Sequence, residues 1–248
     1  MIALVAAMPL ETELLRRSLS PCEVRNCGRR DLFLGSLCGH SVVLLHCGAG
    51  KAAAAASVTS LLEMFHPSSL IVFGCAGAYP GSSLAVGDLA LATEEIYGDE
   101  GSLTPEGFRD LEFLGLPLVE RNGLRFFNRF PVDSSLLKKA RPFLEQASTE
   151  TGRTLVTGPF VTVSTCSGTD AAGREMAKRT GGICENMEGA AAAQVCALHG
   201  VAYLEVRGIS NLAENRDLSR WDLKKGAEIA QRAVSALLKG WHEGKDLA

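Results

Sequence analysis

The chain has 248 residues, 46% of them hydrophobic, which is enough to bury a full core; one α/β domain spanning 1–248 is the expectation. A net charge of −3 argues against a polyanion-binding surface, so no nucleic-acid partner is expected. The eight cysteines (22, 27, 38, 47, 75, 166, 184 and 196) lie mostly in apolar runs, which points to reduced thiols and a cytoplasmic setting.

The apolar opening Met1-Ile-Ala-Leu-Val-Ala-Ala-Met8, followed by Pro9 and Glu11, reads as a buried first strand. It has no positively charged leader and is too short to span a bilayer, so no membrane partner is expected. Further along, short apolar runs predict strands over 2–7, 41–46, 70–73, 89–93, 155–157, 160–165 and 202–206. Amphipathic or alanine-rich stretches predict helices over 11–19, 51–65, 134–146, 171–179, 187–199 and 222–238. The alternation implies a three-layer α/β fold, a mixed central sheet flanked by helices. Glycine-containing turns are expected at Cys47-Gly-Ala-Gly50, Gly74-Cys-Ala-Gly77 and Arg207-Gly208. Ligands of α/β folds collect at the carboxyl ends of strands, so a site is sought there. The segment 98–130, rich in Gly, Pro, charge and phenylalanine, breaks the pattern and reads as a lid, a binding loop or a subunit contact.

Some motifs fall away on inspection. Gly48-Ala-Gly50-Lys51 lacks the spacing of a phosphate loop, and Ala52 stands where Ser or Thr is required. Gly74–Gly81 fails as a dinucleotide fingerprint because Tyr79-Pro80 interrupts the helix that should follow. The five histidines are scattered, and no cysteine–histidine cluster has metal-ligand spacing; no metal or organic cofactor is implied.

Three segments carry the chemistry: Ala6-Ala-Met-Pro-Leu-Glu11, Glu185-Asn-Met-Glu-Gly189 and Val206-Arg-Gly-Ile-Ser-Asn211. With Gly74-Cys-Ala-Gly77 and Val86-Gly-Asp88 they resemble, in order along nearly the whole chain, the nucleoside phosphorylase/nucleosidase superfamily. Within it, the hydrolases acting on methylthioadenosine, S-adenosylhomocysteine and futalosine look most similar. The resemblance implies a small-molecule nucleoside as substrate and a homodimer or higher homo-oligomer. It also implies that Cys75, Ala76, Gly77, Thr165, Cys166, Asn186, Met187, Glu188 and Ser210 line the substrate site.

The residues make chemical sense for that reaction. Cleaving an N-glycosidic bond passes through a ribosyl species of oxocarbenium character, so the site must hold the sugar, help the base leave and aim a nucleophile. Glu188, opening a small-residue helix, can accept hydrogen bonds from both ribose hydroxyls and favour the cation; its plainer role is a helix-start glutamate. Glu11 matches the general base that activates water, with an exposed first-turn residue as the alternative. Phosphate recognition would need arginine or a glycine nest after the first strand, but Met8-Pro9-Leu10-Glu11 offers neither, so water is the expected acceptor.

The resemblance implies aspartate after Ile-Ser in adenine-releasing relatives, where it supplies a proton to N7. Here Asn211 follows Ser210. A neutral amide cannot yield a proton, but it can donate to a 6-oxo oxygen and accept from a protonated N7, as hypoxanthine presents. Glu205-Val-Arg-Gly-Ile-Ser-Asn211, Asn215-Arg-Asp217 and Arg220-Trp-Asp222 resemble the futalosine hydrolases, which release hypoxanthine in an alternative menaquinone route. Thr165 replaces the phenylalanine that stacks on the base in adenine enzymes. Arg121, Arg125 and Arg129, interleaved with Phe126 and Phe127, are candidate cations for the substrate's distal carboxylate, contributed from a neighbouring subunit, or else a solvated basic stretch. An adenine-releasing nucleosidase and a non-catalytic nucleoside-binding module are the competing readings.

Overall fold

The computed structural model describes residues 1–243. Its first strand, β1 (Ile2–Ala6), is buried along its whole length, as expected of an apolar run flanked by parallel neighbours. A hairpin pair follows: β2 (Ser20–Cys27), β3 (Arg30–Leu37) and β4 (His40–His46) run antiparallel in succession. The first two of these strands escape sequence reading because β2 is almost wholly exposed and polar. Both turns are two-residue, with positive φ at Gly28 and Arg29 and at Cys38 and Gly39. That is the turn geometry that suits a twisted hairpin, here made without the Asn-Gly signature.

Next come α2 (Lys51–Phe65), β5 (Ser69–Ala78) and β6 (Leu89–Tyr97), with α1 (Glu13–Ser18) between β1 and β2. The irregular 98–130 region folds into two small hairpins, β7 (Ser102–Thr104) with β8 (Gly107–Arg109), and β9 (Val119–Arg121) with β10 (Leu124–Phe126). The chain then forms β11 (Arg129–Pro131), α3 (Ser134–Glu150), β12 (Leu155–Thr162), α4 (Asp170–Thr180), β13 (Cys184–Asn186), α5 (Gly189–His199), β14 (Ala202–Leu212) and α6 (Leu223–Glu243).

Strands β6, β12, β13, β5 and β14 pair in sequence, and β14 returns to β6, so the middle of the mixed sheet closes on itself as a five-stranded ring. On the β5 side the sheet opens through β1, β4, β3 and β2. Helices α2 and α5 pack on each other, while α6 lies on β14 and β5 with α3 and α1 against it. All eight cysteines are free thiols. No helix among the described residues is long and apolar enough to cross a membrane.

Several boundaries differ from the sequence reading. The strand expected to end at 73 runs on to Ala78, so Gly74–Gly77 is strand rather than turn. Likewise Arg207-Gly208 lies inside β14, which continues to Leu212. Residues 155–157 and 160–162 form one strand, interrupted only by a register shift between Gly158 and Phe160. Glu11 belongs to a 3-10 turn, Pro9–Thr12, and helix α1 starts after it. Glycine and a charged residue read as strand ends locally; pairing partners from distant sequence keep these segments extended.

Candidate active site

Glu11 is delivered by the turn after β1, with Pro9 in the first helical turn setting its path. Its carboxylate is buried and accepts two backbone donors, Met8 N at 2.9 Å and Cys75 N at 2.8 Å. Burial pushes its pKa above the ordinary carboxylate range, with the Glu188 charge adding to the shift. The Arg207 guanidinium and the two N–H donors pull the other way. Gly74 makes the approach possible, since a Cβ there would collide with Glu11 Oε1.

Glu188 is the N-cap of α5 and is also buried. Asn186 fixes the backbone here: its Oδ1 accepts from Glu188 N at 3.0 Å and Gly189 N at 2.8 Å. The Glu188 carboxylate takes Gly50 N at 2.9 Å, from the loop before α2, and faces Arg207 Nη2 at 3.4 Å. Met187 and Ser164 line an adjoining open cleft of about 580 Å³, together with Gly50, Lys51 and Tyr97.

Arg207 pairs with Glu188, and its charge acts on Glu11. It is buried and bonds Glu205 through Nε at 2.6 Å and the Cys75 carbonyl through Nη1 at 3.0 Å. In the sequence alone Arg207 has no evident role, because an arginine beside glycine reads as the end of a strand. Its only sequence clue is the i, i+2, i+4 series Tyr203, Glu205, Arg207, which places three polar groups on one face of a strand. The Cys75 and Cys47 thiols beside this cluster are each pushed up to about 12 by burial, so they stay protonated at neutral pH.

Asn211 stands at the other end of the same strand pair. A register shift between Ile209 and Asn211 inserts Ser210 as an extra residue against β5, a bulge that re-aims the side chain that follows. Asn211 Oδ1 accepts from Ser210 Oγ at 2.8 Å, and Nδ2 donates to the Leu212 carbonyl at 3.2 Å. These two bonds use one of the two amide N–H groups and one of the two lone pairs of Oδ1. Asn211 Nδ2 lies 2.9 Å, and Glu185 Cγ 3.5 Å, from where a Cβ on Gly77 would sit. Glu185 accepts from Ser167 N at 2.9 Å and Ser167 Oγ at 2.7 Å, which holds the 163–169 loop against this end of the site.

Thus Cys75, Ala76 and Gly77 form a ledge: Cys75 binds Glu11 and Arg207, Ala76 O lies 3.3 Å from Ser210 Oγ, and Gly77 abuts Asn211. Of the other expected lining residues, Asn186 is a backbone organiser, Cys166 is half-buried and Thr165 is exposed. The three arginines of the 98–130 region do not converge on this site. The Arg121 guanidinium lies on Gly200 at the far end of α5, about 18 Å along the axis from Glu188 at 1.5 Å per residue. Arg125 pairs with Glu120 at 2.9 Å, and Arg129 binds Glu94 and the Thr180 carbonyl. The cation on the cleft beside Met187 is Lys51, whose ammonium is held by Asp99 and Glu100, each at 2.6 Å.

The phosphorylase superfamily model matches residues 1–240. The chain is 36% identical over 201 residues to a futalosine hydrolase of Thermus thermophilus, covering 81% of this chain and 82% of that one. It is 33% identical over 214 residues to a 5'-methylthioadenosine/S-adenosylhomocysteine nucleosidase of Halalkalibacterium halodurans, covering 86% and 85%. Among solved structures, the nucleosidase of that name from Neisseria meningitidis, in complex with methylthio-immucillin-A, superposes with a TM-score of 0.82 at 26% identity. That match covers 96% of this chain and 98% of the other. By sequence and by fold, the chain belongs to the phosphorylase superfamily.

Proposed function

We propose that the protein is a purine nucleosidase that hydrolyses the N-glycosidic bond of futalosine, releasing hypoxanthine and dehypoxanthine futalosine for menaquinone synthesis. The observation that carries this reading is the ledge Cys75–Gly77, with Glu11, Arg207 and Glu188 at one end and Asn211 at the other. Two residues of strand span about 7 Å, room for a ribosyl group and the near ring of a purine.

In this reading Glu188 accepts from the ribose hydroxyls and its charge favours the ribosyl cation. Glu11, held by Met8 N and Cys75 N, takes a proton from water aimed at the anomeric carbon, and Arg207 holds Glu188 in place. The second N–H of Asn211 meets O6 and its Oδ1 meets the protonated N7, so charge building on the base is spread over two contacts. The futalosine hydrolase of Thermus thermophilus supports the substrate, and the chemistry of an amide at 211 supports a 6-oxopurine over adenine.

The test is a parallel assay of futalosine, aminodeoxyfutalosine, methylthioadenosine and inosine, with and without phosphate, identifying the freed base. Hypoxanthine released fastest from futalosine, without phosphate, is the expected result; adenine release as the dominant activity overturns it. Phosphate is included because Arg30 reaches over Gly48 from the β2–β3 turn, close to the loop that binds Glu188. Ribose 1-phosphate chemistry, seen as phosphate-dependent turnover, would replace water as the acceptor.

Asn211→Asp is expected to move preference from hypoxanthine towards adenine nucleosides. Aspartate accepts from the adenine amino group and can carry a proton to N7, but presents only acceptors to O6 when ionised. The ratio of kcat/KM values for futalosine and aminodeoxyfutalosine should fall by roughly tenfold or more. An unchanged ratio removes residue 211 from base selection.

A further inference from the structure

Behind the Glu11–Arg207–Glu188 cluster lies a carboxyl that the reaction above does not use. Glu95, on β6, is fully buried; neither of its oxygens completes a hydrogen bond, and the donor beside it, Asn186 Nδ2, is likewise buried without a partner. The polar side chains against it are Asn186 from β13 and Glu205 from β14. Gly189, the first residue of α5, leaves the space they share: a Cβ there would collide with Glu95 Oε2 and Glu205 Oε2 together. Around them, Cys184 on β13 and Tyr203 and Arg207 on β14 are the other ionisable groups. Phe130 and Phe160, register partners of Glu95 on β11 and β12, are buried and apolar.

The partners of Glu205 are already assigned. Its Oε1 accepts from Arg207 Nε at 2.6 Å, and its Oε2 takes the Tyr203 hydroxyl. Asn186 is committed on its oxygen side too, accepting from Thr162 Oγ1 at 3.0 Å as well as from the two backbone donors at the start of α5. Arg207 already faces Glu205 and Glu188, with Glu11 close by, so an ionised Glu95 would add a further buried negative charge with no cation of its own. A carboxyl pair in such surroundings shares a proton, and burial together with the charge of Glu205 pushes Glu95 well above the ordinary range.

We propose that Glu95 holds the one proton of a Glu95–Glu205 pair and donates it to Glu205, and that the pair positions Arg207 for the site. Glu205, fixed from one side by Glu95 and Tyr203, anchors the guanidinium by Nε. The remaining N–H groups then point at the Cys75 carbonyl and at Glu188. Loss of the Glu95 proton at high pH places a second negative charge against Glu205, where it competes for Arg207 and loosens Glu188 in front.

The test compares wild type, Glu95→Gln and Glu95→Ala. Infrared difference spectroscopy of the substrate-free protein should show a protonated carboxylic-acid carbonyl band at neutral pH that disappears in Glu95→Gln. Absence of that band from the wild type overturns the proposal. In turnover, Glu95→Ala should lower kcat about tenfold or more with KM little changed, whereas the glutamine amide, which donates to Glu205 without titrating, should restore most of that loss. Wild type should also lose kcat on the alkaline side, and Glu95→Gln should not. A glutamine variant as impaired as the alanine one, or with the wild-type alkaline fall, overturns the proposal. Should Glu95→Ala not fold, the band and the glutamine pH profile still decide. The kinetic measurements rest on the nucleosidase reading; the spectroscopic one does not, so failure of either is distinguishable.

Discussion

Glu11→Gln is expected to lower kcat by about 10²- to 10⁴-fold, the usual contribution of a positioned general base, with nucleoside binding almost unchanged. Glutamine keeps the shape and can accept from one of Met8 N and Cys75 N, leaving the other N–H against its NH2, so thermal unfolding beside the kinetics checks that the turn after β1 holds. What is lost is the ability to take a proton from water. The wild-type pH profile carries the companion expectation. Burial raises the Glu11 pKa, so its protonated form persists to higher pH than for a free carboxylate. If Glu11 is the base, its ionised form is the active one, and kcat/KM falls as pH drops through that raised value. Isothermal titration with a non-hydrolysable nucleoside analogue, beside steady-state kinetics, separates binding from turnover. Turnover near the wild-type level in Glu11→Gln would show that another group activates the nucleophile.

Arg207→Met should cost the fold about 3–5 kcal/mol, as removing one partner of a buried ion pair does. The reason is where the charge goes. Glu205 and Glu188 both point at the guanidinium, and Glu205 is fully buried. For a chain of this size each kcal/mol is worth about 2–4 °C in Tm, so thermal unfolding should show a drop on the order of 10 °C. Arg207→Lys separates charge from geometry. Lysine restores a cation, and with it much of the stability, but one ammonium cannot reach Glu205, Cys75 O and Glu188 with the fork of arginine. Stability should therefore recover further than kcat. A Tm within about a degree of wild type in Arg207→Met would mean that the buried acids are neutral there, against the ion-pair reading.

How much of this was legible in the sequence differs by element. Apolar runs such as Ile2–Ala6 and the alanine-rich α2 were plain, because buried parallel strands and packed helices are apolar along the chain itself. The β2–β3 hairpin was not, since a polar edge strand and a Gly-Arg turn carry no local signal. The 98–130 segment was recognisable as irregular, but not as two small hairpins, whose three-residue strands are too short for any periodicity to register. The arginines there have no address in the sequence; within one chain the structure sends Arg121 to the far end of α5, away from Glu188.

Glu11, Glu188 and Asn211 were named from sequence because their neighbours form recognisable motifs and their chemistry fits a ribosyl transition state. Arg207, Glu205 and Glu95 were assigned no role. The worth of a buried charge depends on partners that here come from separate strands, β14 and β6, and from the small residue Gly189 that lets them meet. Even Asn211 owes its aim to a bulge that only the pairing with β5 reveals. The sequence by itself determined the alternation of strand and helix, the superfamily and three candidate residues for the site, since local periodicity and motif spacing are properties of the chain. Only the tertiary structure decided which charges are buried together and which hydrogen bonds hold them, because electrostatic compensation is a matter of distance in space.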